Sequence, residues 1–181
     1  VLVQEEIEGP ADRLVAIDFY VDAGGRVLGR HVGRKLRQQP PDFGTCTLGC
    51  SCAEPRLPGL CRDYVAALGF RGIGNLEFKE RAGVLYLMEI NPRPWMWLQM
   101  ATASGVNLPW IAAQDLAGRH PSPLPPRDGS RRWIDLRTDA RHLGPAADGR
   151  RLGFGEWLRT LRPLPVEART TLADPMPPLY A

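Results

Sequence analysis

The sequence predicts an α+β fold: an antiparallel sheet flanked by helices, followed by an irregular tail rich in Pro and Gly. Three observations carry this expectation. Residues 13–21 and 26–37 are strand-like runs around the turn signal Asp22-Ala23-Gly24-Gly25, and residues 73–79 and 84–91 are two more around Arg81-Ala82-Gly83. Residues 60–68, 95–104 and 107–117 space their apolar side chains as helices do. From residue 118 onward Pro and Gly are frequent and apolar residues sparse. Hairpins beside helices, without strict alternation of the two, favour an α+β layer over a parallel sheet.

Residues 1–8 (VLVQEEIE) open apolar, turn acidic and stop at Gly9-Pro10, which reads as a strand leaving a core. Residues 13–21 (RLVAIDFYV) are rich in β-branched and aromatic side chains, and 26–37 is the return strand, with basic side chains at Arg26, Arg30, Arg34 and Lys35. The segment 38–59 holds Pro40, Pro41, Pro55 and Pro58 with Cys46, Cys50 and Cys52, and reads as a loop. Residues 60–68 put Leu60, Tyr64, Val65 and Leu68 on one helical face, and Gly69 is a stop signal. Pro92 and Pro94 close the second hairpin. Gly105 splits the two helices that follow, and residues 156–161 (EWLRTL) offer one more turn or two.

Composition narrows the function classes. The chain has 181 residues, with 23 basic against 20 acidic side chains and a net charge of +3. That balance gives no footprint for nucleic acid or an anionic membrane surface. A hydrophobic fraction of 44% supports a packed core. No apolar run approaches the ~20 residues that span a bilayer, and no secretory signal is visible. The start at Val1 reads as a fragment of a longer chain or a processed one. Cys46, Cys50, Cys52 and Cys61 lack the paired spacing of zinc sites, and no His lies among them. They read as free thiols of a cytoplasmic protein. Trp95, Trp97 and Trp110 read as packing residues, and His31 as a surface histidine on a basic strand.

The informative stretch is 75–93. Asn75, Glu77 and Lys79 share one face of their strand. With a three-residue loop at 81–83, Glu80 pairs with Val84, Glu77 faces Leu87, and Glu77 and Glu89 become diagonal neighbours beside Asn91. A loop of two or four residues would part them to opposite faces. Two carboxylates and an amide oxygen together are hard oxygen ligands suited to Mg²⁺. Arg93 follows, able to meet phosphate oxygens as a fork, and Lys35 can do so as a point charge. The alternative is an ordinary hairpin with a solvated polar face, and spacing alone leaves both open.

The run Gly72-Ile-Gly-Asn-Leu-Glu77-Phe-Lys, with Leu87-Met-Glu89-Ile-Asn91-Pro-Arg93, resembles the metal-binding end of the ATP-grasp superfamily. Gly105-Val-Asn107-Leu-Pro109 resembles its carbamoyl-phosphate-synthase-like and D-aspartate-ligase-like branch. The resemblance implies ATP with Mg²⁺, or Mn²⁺ in its place, held by Glu77, Glu89 and Asn91. It implies catalytic roles for Arg93 and Lys35 near the transferred phosphoryl group. Residues 3–9 resemble the strand that touches adenine, which implies nucleotide contacts from Gln4, Glu5 and Ile7, with Asp12 holding the ribose. Residues 35–38, with Pro40-Pro and Gly44-Thr45, resemble the stretch that contacts phosphates and the acceptor. Residues 1–118 would then be the C-terminal subdomain of an ATP-grasp domain and 119–181 a loosely structured extension.

The activity so implied is a carboxylate–amine ligase working through an acylphosphate. Its partners would be a small carboxylate and a small amine; the family also admits a homodimer. Neither nucleic acid nor a membrane is implied. The N-terminal half of the family's domain, with its phosphate-binding Lys and Gly-rich loop, is not in this sequence. The fragment alone is therefore expected to bind ATP poorly, to be inactive, and to expose apolar surface where that half docks. The reading from a different class is a truncated or degenerate module that binds a partner without catalysis.

Overall fold

The computed structural model describes residues 3, 5–41, 43–119, 121–122, 131–143 and 152–169. Seven strands form one sheet: β1 (Leu14–Val21), β2 (Val27–Gln39), β3 (Thr45–Ser51), β4 (Gly72–Arg81), β5 (Val84–Asn91), β6 (Arg132–Ile134) and β7 (Val166–Glu167). Their order across the sheet is β5-β4-β1-β2-β3-β6-β7. All pairings are antiparallel except β6 with β7, so the sheet is mixed at one edge. The helices are α1 (Leu57–Leu68), α2 (Leu98–Ala103), α3 (Leu108–Leu116), α4 (Leu136–Asp139) and α5 (Phe154–Thr160).

β1 lies inside the sheet and is buried on both faces. Val15, Ile17, Phe19 and Val21 pack with Leu76 and Phe78 of β4 against α1. Ala16 and Tyr20 pack on the other face with Trp95, Trp97, Met100, Leu108, Ile111 and Trp133. Room for α2 and α3 on that second face comes from missing side chains. A Cβ on Gly33 of β2 would lie 2.7 Å from Met100 Cε, and one on Gly49 of β3 would lie 2.6 Å from the Trp97 ring. α1 carries Pro58 in its first turn and ends at Gly69, whose φ of 59° is left-handed.

Several expectations need correction. The buried stripe of α1 is Leu57, Cys61 and Val65, because the helix starts earlier than its spacing suggests; Leu68 is exposed. The segment read as a loop at 38–59 contains β3, whose Cys46, Thr47, Leu48 and Gly49 are all buried. A strand covered on both faces shows no alternation, and Cys, Gly and Thr hide it further. Residues 5–10 form no strand; a short 3₁₀ turn at Ala11–Arg13 leads into β1 instead. His31 is buried rather than on the surface, and Trp110 is exposed while Trp95 and Trp97 are buried. The expected α+β sheet flanked by helices is present, antiparallel except at the β6–β7 edge. The described part of the extension is also folded onto the sheet: β6 pairs with β3, and the buried carboxylates Asp135 and Asp139 tie it down. None of the described helices is long and apolar enough to cross a membrane.

Candidate active site

The second hairpin turns through Ala82 and Gly83, with φ of 51° and 80°. Positive φ at both central residues is the two-residue turn whose twist matches the strands. Arg81 therefore pairs with Val84, a register expected to send Glu77 and Glu89 to opposite faces. A bulge reverses that outcome. The register shifts between Glu77 and Phe78: Phe78 faces Leu87 while Glu77 faces Glu89, leaving Met88 as the extra residue. The two glutamates are thus direct cross-strand partners, and Asn75 is the partner of Asn91.

Two adjacent rungs then run across four strands on the face that carries α2 and α3. One is Gly33, Ala16, Glu77 and Glu89 in β2, β1, β4 and β5. The other is His31, Asp18, Asn75 and Asn91. In the first, two small residues form a floor beside two carboxylates. Like charges directly opposed repel. Lys35 relieves the repulsion, with its Nζ 2.9 Å from Glu77 Oε2. The Glu89 side chain is exposed and makes no hydrogen bond or ion pair among the described residues.

The second rung is a buried hydrogen-bonded row. Asp18 Oδ2 lies 2.9 Å from His31 Nδ1, and Asn75 Nδ2 donates to Asp18 Oδ1 at 2.6 Å. Asn91 Nδ2 donates to Asn75 Oδ1 at 3.4 Å. His31 Nε2 meets Ser51 Oγ at 3.1 Å, and Ser51 meets Ser104 at 2.8 Å. Burial pushes the Asp18 carboxyl above the usual carboxylate range, against the pull of His31 and Asn75.

An open cleft of about 310 Å³ gathers five of the predicted residues: Lys35, Glu77, Glu89, Asn91 and Arg93. Gly44, Thr45 and Cys46 form another side, Phe43 and Met96 are exposed at its lip, and Trp95 and Trp97 back it. Burial pushes the Cys46 thiol far up, so it lines the cleft as an uncharged group. All four cysteines are unpaired thiols.

Of the other predicted nucleotide contacts, Glu5, Ile7 and Asp12 do not line this cleft. Glu5 pairs with Arg81 at 3.0 Å, Ile7 is buried, and the Asp12 carbonyl accepts from Arg34. Gln4 lies outside the described residues. Arg37, expected to contact phosphates or the acceptor, spends its guanidinium on buried Asp139 at 3.0 and 2.6 Å. Asp18, His31 and Asn75 were missed as site residues. Their alternation with Ala16, Gly33 and Glu77 was visible, but only the register reveals that they form one row.

The donor set fits a divalent cation. Two carboxylates and one amide oxygen lie on neighbouring rungs, and a cation there would neutralise the Glu77–Glu89 repulsion. Among the described residues no group of three or more His, Cys, Asp or Glu gathers as a metal cage. Hard cations that keep phosphate oxygens in their shell need only one or two protein carboxylates.

The family described as ATP-grasp in the biosynthetic pathway with Ter operon matches residues 2–134. No curated protein matches the sequence. Among solved structures, a Rhizobium etli pyruvate carboxylase (T882A, with the allosteric activator acetyl coenzyme-A) superposes with a TM-score of 0.56 at 18% identity. The superposition covers 66% of this chain and 14% of that one, so the likeness is one of fold and the chain spans a small part of that protein. The family match takes in both rungs, the cleft and the sheet out to β6, and the chain therefore belongs to the ATP-grasp family.

Proposed function

We propose that this chain is the metal- and phosphate-binding part of an ATP-dependent carboxylate–amine ligase. The observation that carries the reading is the convergence of Glu77, Glu89, Asn91, Lys35 and Arg93 on one cleft. In the reaction, a carboxylate oxygen attacks the γ-phosphorus of ATP and ADP leaves. The amine then attacks the acyl carbon, phosphate leaves with the bonding electrons, and the nitrogen loses a proton. Mg²⁺, held by Glu77, Glu89 and Asn91, would neutralise charge on the β- and γ-phosphates.

The side chains have separable tasks. Lys35, paired with Glu77, moves its ammonium the short distance to a phosphate oxygen once that carboxylate finds another counter-charge. Arg93 is exposed at the cleft, its only bond among the described residues being to the Pro94 carbonyl, so its fork is available for a phosphoryl or acylphosphate oxygen. Phe43 and Met96 give the lip an apolar side, backed by Trp95. An N-terminal half closing over this cleft would complete the nucleotide site, and the carboxylate and amine are small-molecule partners.

The test is Glu89→Gln in the full-length protein, with ADP release followed across a panel of carboxylates and amines. Glu89 is exposed and unpaired among the described residues, so the fold should be untouched while turnover falls at least about 100-fold. Unchanged turnover would remove Glu89 from catalysis, whereas no ADP release by the wild type with any pair in the panel would favour a non-catalytic binding module.

A further inference from the structure

We propose that Asp18 is a positioning residue for the metal site: acting through Asn75, it turns the Asn91 amide so that its oxygen faces Glu77 and Glu89. The inference rests on the reading of the cleft as a metal site.

The polarity of the row carries the argument. An ionised carboxylate only accepts hydrogen bonds, whereas an amide accepts on one branch and donates on the other. Asp18 accepts from Asn75 Nδ2 at 2.6 Å and lies 2.9 Å from His31 Nδ1, which donates to it in the Nδ1–H tautomer. Asn75 is therefore held nitrogen-inward, and its oxygen is left facing Asn91. Asn91 can answer only with its own Nδ2, and does so at 3.4 Å. Its Oδ1 is the branch left over for the cleft. Turned the other way, Asn91 would set oxygen against oxygen within the row and present an amino group to a cation. All four residues of the row are at most 5% exposed, so water cannot substitute for the missing partner. Asp18 stands two strands from the ligand, yet through the oxygen it offers Asn75 it orients both amides between itself and the cleft. Residues that orient a ligand without touching the metal commonly change affinity by about 10- to 100-fold.

The isosteric change Asp18→Asn inverts the row. The amide so introduced keeps its oxygen on His31 and offers its nitrogen to Asn75, which turns over, and Asn91 then turns its nitrogen into the cleft. Asn91→Asp makes orientation irrelevant, because a carboxylate carries oxygen at both ends. The experiment is a double-mutant cycle on the full chain. The dissociation constant of Mn²⁺ alone is read from water-proton relaxation for wild type, Asp18→Asn, Asn91→Asp and the double variant. The expected result is a loss of Mn²⁺ affinity of about tenfold or more for Asp18→Asn. On the Asn91→Asp background the same change should cost at least about fivefold less. Equal effects in both backgrounds would mean that Asp18 acts only through its charge or the fold, and would overturn the proposal. Should Asp18→Asn fail to fold, Asn75→Ala, which deprives Asn91 of its acceptor, is put through the same cycle with the same two readings. Glu89→Gln separates the two levels. If it leaves Mn²⁺ binding unchanged, the metal is not in this cleft and both readings fall; if it weakens binding while Asp18→Asn does not, the orienting role alone falls.

Discussion

Asp139 is fully buried and receives four donors. Arg37 Nε and Nη2 reach it at 3.0 and 2.6 Å, Thr47 Oγ1 at 2.7 Å and Trp157 Nε1 at 2.8 Å. These residues come from β2, β3 and α5, so one carboxylate clamps the C-terminal extension to the sheet. Asp139→Ala strands a mostly buried guanidinium and two further donors. Breaking a buried pair by removing one partner costs about 3–5 kcal/mol. The separate hydrogen-bond losses overlap with that figure and are not added to it. In urea, at a slope of about 2 kcal/mol per molar, the midpoint should fall by about 2 M. The dependence on pH supplies a second reading. Burial raises the Asp139 carboxyl, but Arg37 and Thr47 outweigh burial and hold it below the usual carboxylate range. A depressed carboxyl stabilises the fold above its unfolded value, near ~3.9, and that contribution fades as pH falls through the lower folded value. The stability gap between wild type and Asp139→Asn should therefore be constant from neutral pH down to about pH 5 and close below about pH 4. A loss under about 1 kcal/mol, or a gap that ignores acid, would refute the clamp.

Two further outcomes follow from backbone geometry. Gly49→Ala puts a methyl 2.6 Å from the buried Trp97 ring and should cost about 1–3 kcal/mol in thermal unfolding, whereas an unchanged midpoint would mean that α2 shifts freely over β3. Ala82 holds a φ of 51° in the hairpin turn, so Ala82→Asn, which brings in the residue such turns prefer, should stabilise by about 1 kcal/mol. A loss of stability in Ala82→Asn would argue against that turn.

Both hairpins were legible because their strands are rich in β-branched and aromatic residues and their turns carry Gly. The identities of Glu77, Glu89, Asn91, Arg93 and Lys35 were legible as chemistry, but their meeting was reached by the wrong register. A bulge at Met88 has no local signature: it reflects how β5 must bend to keep Glu89 on the cleft face and Leu87 on its own. β3 was illegible because it is buried on both faces and built of Cys, Thr and Gly. The extension was illegible for another reason. Its attachment is a three-residue strand, β6, with Trp133 and Ile134 buried, joined by buried ion pairs, and Asp135 and Asp139 look like surface charge until Arg169 and Arg37 are seen to reach them. The row His31–Asp18–Asn75–Asn91 is a long-range property of four paired strands, which no local window contains.

The most direct test of the central claim is calorimetric titration of ATP with Mg²⁺ into the full-length protein and its Glu77→Gln/Glu89→Gln variant. The account expects binding by the wild type and a loss of about tenfold or more in the variant, because the opposed carboxylates are the protein's share of the cation shell. Equal binding by both, or none by a protein that includes the upstream half, would make the acidic rung a solvated surface and contradict the assignment.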